Sequence, residues 1–462
     1  MYDMIIIGAG PSGCFLANEY VQKGMKCLLL EAGEHYQRHT YPRSELTGNS
    51  KLYWSGGIEL NSRADIGFLR PKAVGGGSIV NQALLDPFDD IAFDAWREKS
   101  KLNFFKKENF QPYYELVLNN VPTQEIPKEF RNRNAEIFKE GFEKNGYQCA
   151  PLVRAQKNCQ YEKGNDCIEC LNGCRIDSKQ SSAITALPKA LDGGLELRDK
   201  MTVIKIEILF NKCYVSAVDE FNEQYTFESG YITLASGAIG NTKILKMSGF
   251  DKKLPALGKN FYTHPQFMSL AFYDEVINSH KGPFQAMKSD DANFRKNNFK
   301  LENVFGPPVA LSMLIPSFGK SHMQRMKDIS KIACIEVAIR DFIPGEIKVN
   351  SKGKVKIIKN LKGIDLETKQ KGLEAIHNIF KSTGAKEIID GQFGIGLHLM
   401  GGCGIGSSDS KSVTTENFHL HSSRRIFLAD SSIFPSAPGI NPSLTIMAQS
   451  LMASEKILKE VS

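Results

Sequence analysis

The stretch that decides the fold is Met4-Ile5-Ile6-Ile7-Gly8-Ala9-Gly10-Pro11-Ser12-Gly13. A short apolar run, residues 4–7, leads into closely spaced glycines, and a helical pattern follows over residues 14–23. Residues 26–30 form a second apolar run, and Glu31 stands at its end. A strand, a glycine turn, a helix and a second strand in this order predict the first unit of a dinucleotide-binding domain.

Each glycine of this turn has its own physical task. Gly8 permits the tight turn, Gly10 lets the backbone approach a pyrophosphate, and Gly13 lets the helix pack close to the strand. The free N–H groups at the start of the helix would face the phosphates, and Glu31 is placed to accept hydrogen bonds from a ribose hydroxyl. The alternative is a glycine turn without a ligand, and the motif alone does not separate NAD from FAD.

Two later segments return to the same kind of structure. Residues 231–234 form a strand that enters the glycine-containing stretch 235–240, and residues 425–428 form a strand that ends at Asp430. The sequence therefore predicts an α/β fold: a Rossmann-like domain assembled from discontinuous segments, plus an α+β substrate-binding lobe with an antiparallel sheet. The predicted boundaries are 1–85, 180–264 and 391–462 for the Rossmann-like domain, and 86–179 and 265–390 for the lobe. Within the lobe, the polar stretch 288–303 is predicted to be a surface loop.

Composition places the chain among ordinary globular proteins. Of 462 residues, 42% are hydrophobic and 24% are charged, which excludes collagen-like and wholly disordered classes. A net charge of +7 without a dense basic stretch argues against a nucleic-acid partner. No apolar run approaches the roughly 18 residues of a membrane span, and the turn at Gly8 leaves no room for a signal peptide. We therefore expect a soluble, cytoplasmic protein.

Further motifs follow one another along the chain. They are the glycine-rich segment 74–81, Phe93-Asp94-Ala95-Trp96, residues 235–240, residues 257–260 with His264-Pro265, and the block from His398 through Asp430 to Asn441-Pro442. In this order they resemble the motifs of the glucose–methanol–choline (GMC) family of flavoprotein oxidoreductases. The matches cover both ends and the middle of the chain, whereas residues 266–390 are not diagnostic. The resemblance implies FAD as the bound dinucleotide.

The resemblance also implies which residues hold the cofactor. They are Gly8, Gly10, Gly13, Glu31 and the backbone of Val203 for the ADP half, Asp430 near the pyrophosphate or ribityl chain, and Gly76, Gly77, Ser78, Asn81, Asn441, Pro442 and Ser443 on the pyrophosphate and flavin side. Some relatives attach the flavin covalently to a histidine of the glycine-rich segment. Because residues 74–82 contain no histidine, we expect non-covalent FAD.

His398 begins the segment His-Leu-Met-Gly-Gly-Cys-Gly, which is similar to the family's histidine motif, with Gly402 in place of the usual threonine. The resemblance places the active-site pair at His398 and Asn441. A histidine suits removal of a hydroxyl proton near neutral pH, and an asparagine amide can donate to the same oxygen. Asn441 and Pro442 also predict a helix N-cap followed by proline at the first helical position. His264 is predicted to be a structural, packing residue.

Four of the ten cysteines cluster with the spacing C-x7-C-x2-C-x3-C: Cys159, Cys167, Cys170 and Cys174. This spacing lets thiolates converge on one centre, as iron–sulfur and zinc sites require. Some dehydrogenases of the family carry an iron–sulfur cluster near this point, with a different spacing. An iron–sulfur cluster, a zinc ion and reduced structural thiols are therefore all open alternatives.

These observations favour an FAD-dependent alcohol dehydrogenase or oxidase that converts a CH–OH group to a carbonyl by hydride transfer to flavin N5. His398 would be the base and Asn441 the orienting donor. A sugar, glycoside or polyol is the expected substrate, and a steroid or aliphatic alcohol is the alternative. A lyase that cleaves cyanohydrins and a non-catalytic FAD-binding subunit are two further alternatives. The electron acceptor stays open among oxygen, a quinone and a cytochrome subunit.

Overall fold

The computed structural model describes residues 1–160, 166 and 168–461. The α-helices are α1 (Pro11–Gln22), α2 (Glu45–Leu52), α3 (Gly77–Val80), α4 (Asp90–Ser100), α5 (Lys107–Asn120), α6 (Arg133–Lys144), α7 (Ala186–Asp192), α8 (Gly237–Met247), α9 (Ala292–Lys296), α10 (Pro308–Leu314), α11 (Gly319–Lys327), α12 (Ile364–Ser382) and α13 (Ser443–Val461). None of the helices in this part of the chain is long and apolar enough to cross a membrane.

The strands are β1 (Tyr2–Ile7), β2 (Cys27–Leu30), β3 (Glu59–Leu60), β4 (Ile66–Phe68), β5 (Thr123–Glu125), β6 (Cys149–Pro151), β7 (Val153–Ala155), β8 (Glu196–Arg198), β9 (Thr202–Leu209), β10 (Lys212–Val218), β11 (Gln224–Leu234), β12 (Phe261–Phe272), β13 (Met287–Ser289), β14 (Phe299–Asn303), β15 (Ile332–Ile339), β16 (Glu346–Val349), β17 (Val355–Ile358), β18 (Glu387–Asp390), β19 (Gly394–Gly401), β20 (His419–Leu420) and β21 (Ser423–Leu428).

The first sheet has eight strands in the order β20-β21-β11-β1-β2-β8, with β10 paired to β11 and β9 paired to β10. β1 lies between β2 and β11 and runs parallel to both, and β21 runs parallel to β11. These strands come from both ends and the middle of the chain, which confirms the prediction of an α/β domain built from discontinuous segments. In such sheets the ligand binds at the carboxyl ends of the strands.

Helix α1 begins at Pro11, three residues before the predicted start at residue 14. Proline is favourable at the first helical position because its missing N–H would have no partner there and its fixed φ already suits the helix. The helix ends at Gln22, close to the predicted end. Eight of its twelve residues are buried, so it packs closely on the sheet beside the glycine turn.

The second sheet has nine strands in the order β3-β4-β19-β12-β15-β14-β13-β6, with β18 paired to β12. Its central pairs, β12–β15, β12–β19 and β14–β15, are antiparallel. This arrangement confirms the predicted α+β lobe with an antiparallel sheet. The prediction of a surface loop at 288–303 is wrong, because this segment contributes the end of β13, helix α9 and strand β14, and β14 lies inside the sheet.

The core around the first sheet also contains side chains of α4 and α5. Trp96 is fully buried there, and its ring lies 4.4 Å from that of Phe434, measured between centroids. Trp96 Nε1 donates to the carbonyl oxygen of Ser436 (2.9 Å). Residues 90–120 therefore pack on the Rossmann-like sheet, although the predicted boundaries assign them to the lobe; those boundaries stay a prediction.

Candidate active site

The glycine turn after β1 has the geometry that the sequence predicts. Gly8 has φ +105°, and a Cβ there would lie 2.5 Å from the carbonyl oxygen of Ala235. A Cβ on Gly13 would lie 1.9 Å from the carbonyl oxygen of Gly8, so only glycine lets α1 pack this closely. A Cβ on Gly10, in contrast, would meet no atom within 4 Å. Gly10 thus faces open space at the start of α1.

The glycine-rich segment after Val74 lies against this turn. Gly75 N–H donates to the carbonyl oxygen of Ala9 (2.7 Å), and a Cβ on Gly76 would lie 2.8 Å from Gly10 Cα. Gly77 begins α3 and has open space in front of it. The two glycine turns therefore face each other across the start of α1.

The polar residues of this segment stabilise its shape. Ser78 Oγ donates to the carbonyl oxygen of Gly75 (2.6 Å) and accepts from Ser182 N–H (3.1 Å). Asn81 Oδ1 accepts from the N–H of Ala83 (3.0 Å). Both side chains thus hold the backbone of the turn, together with bonds from the N–H groups of Gly75 and Gly76 to the carbonyl oxygens of Ala9 and Ala73.

Glu31 lies at the end of β2, as predicted. Its two carboxylate oxygens accept from the N–H groups of Ala9 and Gly33, each at 2.8 Å. Burial raises the pKa of this carboxyl group against the opposing effect of these hydrogen bonds. Met201 N–H donates to the carbonyl oxygen of Glu31 (2.8 Å), which brings the half-buried Val203 at the start of β9 near the same end of the sheet.

Asp430 follows β21 and is buried. Its Oδ2 accepts from Gly237 N–H at the start of α8 (2.7 Å) and from Asn241 Nδ2 (2.9 Å), and its Oδ1 accepts from Ser432 N–H (2.9 Å). Burial raises the pKa of this carboxyl group. Asp430 therefore joins the ends of two neighbouring strands at the edge where a dinucleotide is expected.

The space bounded by these turns fits a dinucleotide. A Cβ on Gly10, Gly77 or Gly237 would meet nothing within 4 Å, whereas the neighbouring Gly8, Gly13 and Gly76 are tightly enclosed. Backbone N–H groups at helix starts and glycine turns are the usual partners of a pyrophosphate. The structure brings the predicted glycines of both turns together, with Glu31 and Asp430 at either side, and their role as FAD ligands stays a prediction.

His398 lies on β19 in the left-handed region, with φ +57°, which is rare for a residue with a side chain. Thr263 Oγ1 donates to the carbonyl oxygen of the preceding Leu397 and holds the strand there. Burial, with a smaller contribution from Lys300, lowers the pKa of His398 to about 3, so the ring is neutral. Ser431 Oγ donates to the carbonyl oxygen of Leu399 (2.9 Å), which ties the His398 strand to the segment after Asp430.

His264 does more than the predicted packing. Its Nδ1 lies 2.9 Å from Nδ1 of His398, and its Nε2 accepts from Gly439 N–H (2.9 Å). The ring is 2% exposed, and burial lowers its pKa well below the usual value, with further contributions from His398, Lys300 and two arginines. His264 therefore connects the histidine strand to the loop that carries Asn441.

Asn441 is buried just before α13, which begins at Ser443, and Pro442 accepts from Ile446 N–H (2.8 Å) in the first turn. The side chain of Asn441 does not cap the helix as predicted. Its Oδ1 accepts from Lys300 Nζ (3.2 Å), and its Nδ2 donates to Glu302 Oε1 (3.3 Å). These charged partners on β14 outcompete the backbone for the amide.

Asn441 contacts one end of a group of ionisable side chains that we call the buried charged cluster: Asp86, Lys288, Lys300, Glu302 and Glu336. Lys300 forms an ion pair with Glu302 and lies 3.6 Å from Asp86, which also pairs with Lys288. Burial opposes the charges of Lys300 and Asp86, but Glu302 and Asp86 raise the pKa of Lys300, and the two lysines lower the pKa of Asp86. Burial also raises the pKa of Glu336 well above its usual range.

The sequence analysis missed this cluster. The signal was the alternation Lys300-Leu301-Glu302 within β14, which places both charged side chains on one face of the sheet. Because the surrounding residues are rich in lysine and asparagine, the segment was predicted to be a surface loop and this alternation was not interpreted as a strand.

The cysteine segment lies beside the glycine-rich segment. Cys159, Cys170 and Cys174 line a cavity of about 190 Å³, and Lys179 Nζ donates to the carbonyl oxygens of Cys170 (2.6 Å) and of Ile79 in α3 (2.7 Å). A hydrogen bond from Cys170 lowers the pKa of Cys174 to about 5 against its burial. Cys167 lies outside the described residues, and no group of three or more metal-ligating side chains occurs among the residues that are described.

A dinucleotide cradle, tied through Ser431 to a strand that carries a buried, neutral histidine, is typical of a dinucleotide-dependent enzyme. Comparison with known families agrees. A family model described as GMC oxidoreductase matches residues 2–266, and its C-terminal counterpart matches residues 363–450. The chain belongs to the GMC oxidoreductase family, which confirms the resemblance and FAD as the cofactor, and it is an FAD-dependent enzyme of the type that acts on alcohols.

Individual relatives are distant. The chain is 26% identical to a long-chain-alcohol oxidase of Arabidopsis thaliana, over 96% of this chain and 67% of that protein. It is 24% identical to an uncharacterised GMC-type oxidoreductase of Sinorhizobium fredii, over 100% and 95%, and 24% identical to an alcohol dehydrogenase [acceptor] of Pseudomonas putida, over 57% and 53%.

Solved structures show the same fold. Pyridoxine 4-oxidase from "Mesorbium loti" superimposes with a TM-score of 0.75 at 14% identity, over 99% of both chains. Formate oxidase superimposes with a TM-score of 0.74 at 14% identity, over 99% of this chain and 98% of that one.

Proposed function

We propose that this enzyme oxidises a CH–OH group of a sugar, glycoside or polyol to a carbonyl. Bound FAD supplies the hydride acceptor, N5 of the flavin. His398 takes the hydroxyl proton at Nε2, and Asn441 donates its amide N–H to the same oxygen. The neutral state of His398 supports this assignment, because a protonated ring could not act as a base.

The observation that carries the substrate class is the buried charged cluster beside Asn441. Lys300 and Glu302 contact the Asn441 amide directly, and Gln285 donates to Glu302 from the other side. Charged and amide groups that are already buried can exchange partners with several hydroxyl groups of a polar substrate. An alkyl chain in the same place could replace none of these hydrogen bonds, so each one that its entry breaks would cost about 1–3 kcal/mol.

The experiment is anaerobic reduction of the FAD-loaded enzyme, followed by the loss of flavin absorbance in a stopped-flow instrument. The panel contains a hexose, an alkyl glycoside, a sugar alcohol and a long-chain primary alcohol. We expect the polyhydroxylated compounds to reduce the flavin, and we expect Glu302→Gln to weaken their binding. Glu207→Gln, which alters an ion pair on the surface of β9, is the control.

Any different result of this experiment would favour one of the alternative functions. Reduction by the long-chain alcohol alone would overturn the proposed substrate class and favour an activity like the one for which the Arabidopsis relative is named. Cleavage of a cyanohydrin without flavin reduction would favour a lyase. Stable FAD binding without any reduction would favour a non-catalytic subunit.

The electron acceptor and the iron–sulfur cluster stay predictions. Support for the cluster is that Cys159, Cys170 and Cys174 share one cavity and that Lys179 links this segment to α3 in the flavin cradle. Counting iron and acid-labile sulfide on anaerobically purified protein tests the prediction. Stoichiometric iron that is lost in Cys174→Ser would support a built-in electron exit toward a quinone or cytochrome, and absence of iron would contradict it.

A further inference from the structure

We propose that His264 is a positioning residue that sets the tautomer of His398, so that Nε2 of His398 carries the hydrogen in the resting enzyme. The inference rests on the proposed function only in treating His398 as the residue that meets the substrate oxygen. It is carried by three groups in a row: the Gly439 peptide N–H, the His264 ring and the His398 ring.

The first link is between Gly439 and His264. A peptide N–H can only donate a hydrogen bond, and Gly439 N lies 2.9 Å from His264 Nε2. His264 Nε2 must therefore present its lone pair. A neutral imidazole carries one hydrogen, so the hydrogen of His264 is on Nδ1. Burial and the nearby cations Lys300, Arg295 and Arg340 keep the His264 ring neutral.

The second link is between the two rings. His264 Nδ1 lies 2.9 Å from His398 Nδ1, and the ring planes make an angle of 79°. Because His264 Nδ1 carries a hydrogen, His398 Nδ1 must accept it. The His398 ring is also neutral, so its own hydrogen is on Nε2. One peptide N–H thus determines the hydrogen positions on both rings.

The peptide of Gly439 is itself held in place. Arg295 donates to the carbonyl oxygen of Pro438 (2.9 Å), and Arg340 donates to that of Ala437 (3.2 Å). Gly439 has φ +75°, a backbone conformation that favours glycine, and a Cβ there would lie 2.5 Å from an Arg295 nitrogen. The loop that leads to Asn441 therefore fixes the direction of the hydrogen bonds from Gly439 through His264 to His398.

The direction of these hydrogen bonds affects how His398 can take a proton from the substrate. In the resting tautomer, His398 meets a substrate hydroxyl as a donor through Nε2–H and has no free lone pair there. The base-competent tautomer has the hydrogens on His398 Nδ1 and His264 Nε2, so the pair keeps two hydrogens and only their positions change. His264 Nε2–H would then face Gly439 N–H, so the loop that presents Asn441 must move for His398 to accept a proton.

The experiment is NMR spectroscopy of the FAD-loaded protein with ¹³C- and ¹⁵N-labelled histidine rings, with the His398 signals assigned by their loss in His398→Gln. Ring shifts distinguish the two neutral tautomers. We expect the Nε2–H form in the wild type, a mixture of both forms in His264→Phe, and the wild-type form in His264→Gln. The glutamine amide can accept from Gly439 with its oxygen and donate to His398 with its nitrogen.

Two outcomes would overturn the inference: an Nδ1–H tautomer of His398 in the wild type, or an unchanged tautomer in a folded His264→Phe. If His264→Phe does not fold, the tautomer of His398 in the wild type and in His264→Gln still tests the inference. The measurement needs no substrate. Failure of every alcohol to reduce the flavin would therefore defeat the proposed function without affecting this result.

Discussion

His398 combines an unfavourable backbone conformation with a buried, neutral ring. Such residues persist only where the surroundings hold them, and they concentrate at functional sites. Here the holding groups are Thr263 on the backbone and His264 on the ring. The chemistry proposed for His398 thus depends on β12, a strand more than 120 residues earlier in the sequence.

His398→Gln is expected to lower the rate of flavin reduction by about 100- to 10,000-fold, because a proton acceptor in the transition state is lost. Binding of FAD should stay within about threefold of the wild type, since no predicted cofactor contact is removed. The measurement is single-turnover reduction with the substrate found in the panel. His377→Gln, at a half-buried histidine paired with Asp390, is the control. An equal loss in both variants would contradict the assignment.

Asp86→Asn tests the buried charged cluster. We expect a loss of about 3–5 kcal/mol of unfolding free energy at neutral pH, because Lys300 and Lys288 lose their shared counter-charge. Urea unfolding measures the difference.

The pH dependence of that loss has a definite sign. The two lysines hold the pKa of Asp86 below its usual value. Between this lowered pKa and the usual one, the folded protein therefore binds fewer protons than the unfolded chain. The stabilisation by Asp86 is complete above about pH 4 and is lost as the pH falls through the lowered pKa. The difference between wild type and Asp86→Asn should therefore shrink in acid. Asp94→Asn, at an exposed ion pair, should cost about 1 kcal/mol or less.

At the scale of single residues, the sequence supports prediction only where neighbours in space are also neighbours in the chain. Gly8, Gly10 and Gly13 belong to one turn, and their roles follow from its geometry. Lys300 was missed because its partners, Asp86 and Asn441, are more than 140 residues away on either side. The alternation of Lys300 and Glu302 places both side chains on one face of β14, but it does not reveal the distant partners that make this face a buried one.

At the scale of elements, β1, α1 and β2 were predicted because strand, turn and helix each carry a local signal. Strand β14 was not predicted. Alternation of polar and apolar residues usually indicates a strand whose polar face is exposed to solvent, but the polar residues of β14 face a buried polar site. The start of α13 was located, but the role of Asn441 as a cap was wrong because β14 supplies stronger partners.

Gly10→Ala tests the cradle formed by the two glycine turns. Gly10 has φ −74° and open space at its Cβ position, so the variant should fold with unchanged stability. Its methyl group would occupy the space assigned to the pyrophosphate. We expect FAD affinity to fall at least about tenfold, which corresponds to about 1.4 kcal/mol.

Fluorescence titration of the FAD-free protein measures this affinity. Gly404→Ala, also at an open position, should leave the affinity unchanged. Gly13→Ala should instead prevent normal folding, because its Cβ would overlap the Gly8 carbonyl. Undiminished FAD binding by a folded Gly10→Ala would place the cofactor elsewhere.

At the scale of the whole molecule, helices α4 and α5, which the predicted boundaries assign to the lobe, pack in the core around the first sheet. Trp96 on α4 packs in the first core and donates to Ser436, five residues before Asn441. The pattern of strands and motifs predicts a Rossmann-like domain and a second lobe, but it does not indicate which core the intervening helices join. That choice depends on side-chain packing between distant segments.

Trp96→Ala is therefore expected to cost about 3–5 kcal/mol of unfolding free energy, because it leaves a large cavity and an unpaired carbonyl group. The rate of flavin reduction should also fall, since the segment leading to Asn441 loses its support. Trp54, which is half-buried and stacked against Arg70, is the matched control, and Trp54→Ala should cost less. Equal destabilisation of the two variants would contradict the bridging role of Trp96.

The contact between α1 and α13 has a consequence for biosynthesis. Ser12 Oγ accepts from Ser450 Oγ at 2.9 Å, across 438 positions of the chain. At a translation rate of roughly 5–20 residues per second, the glycine turn waits about 20–90 s on the ribosome before α13 exists to cover it. Until then the first sheet lacks β21 and Asp430 as well. Cofactor capture is therefore expected to follow the synthesis of α13, and cellular flavin supply at that stage would influence how much of the newly made protein matures.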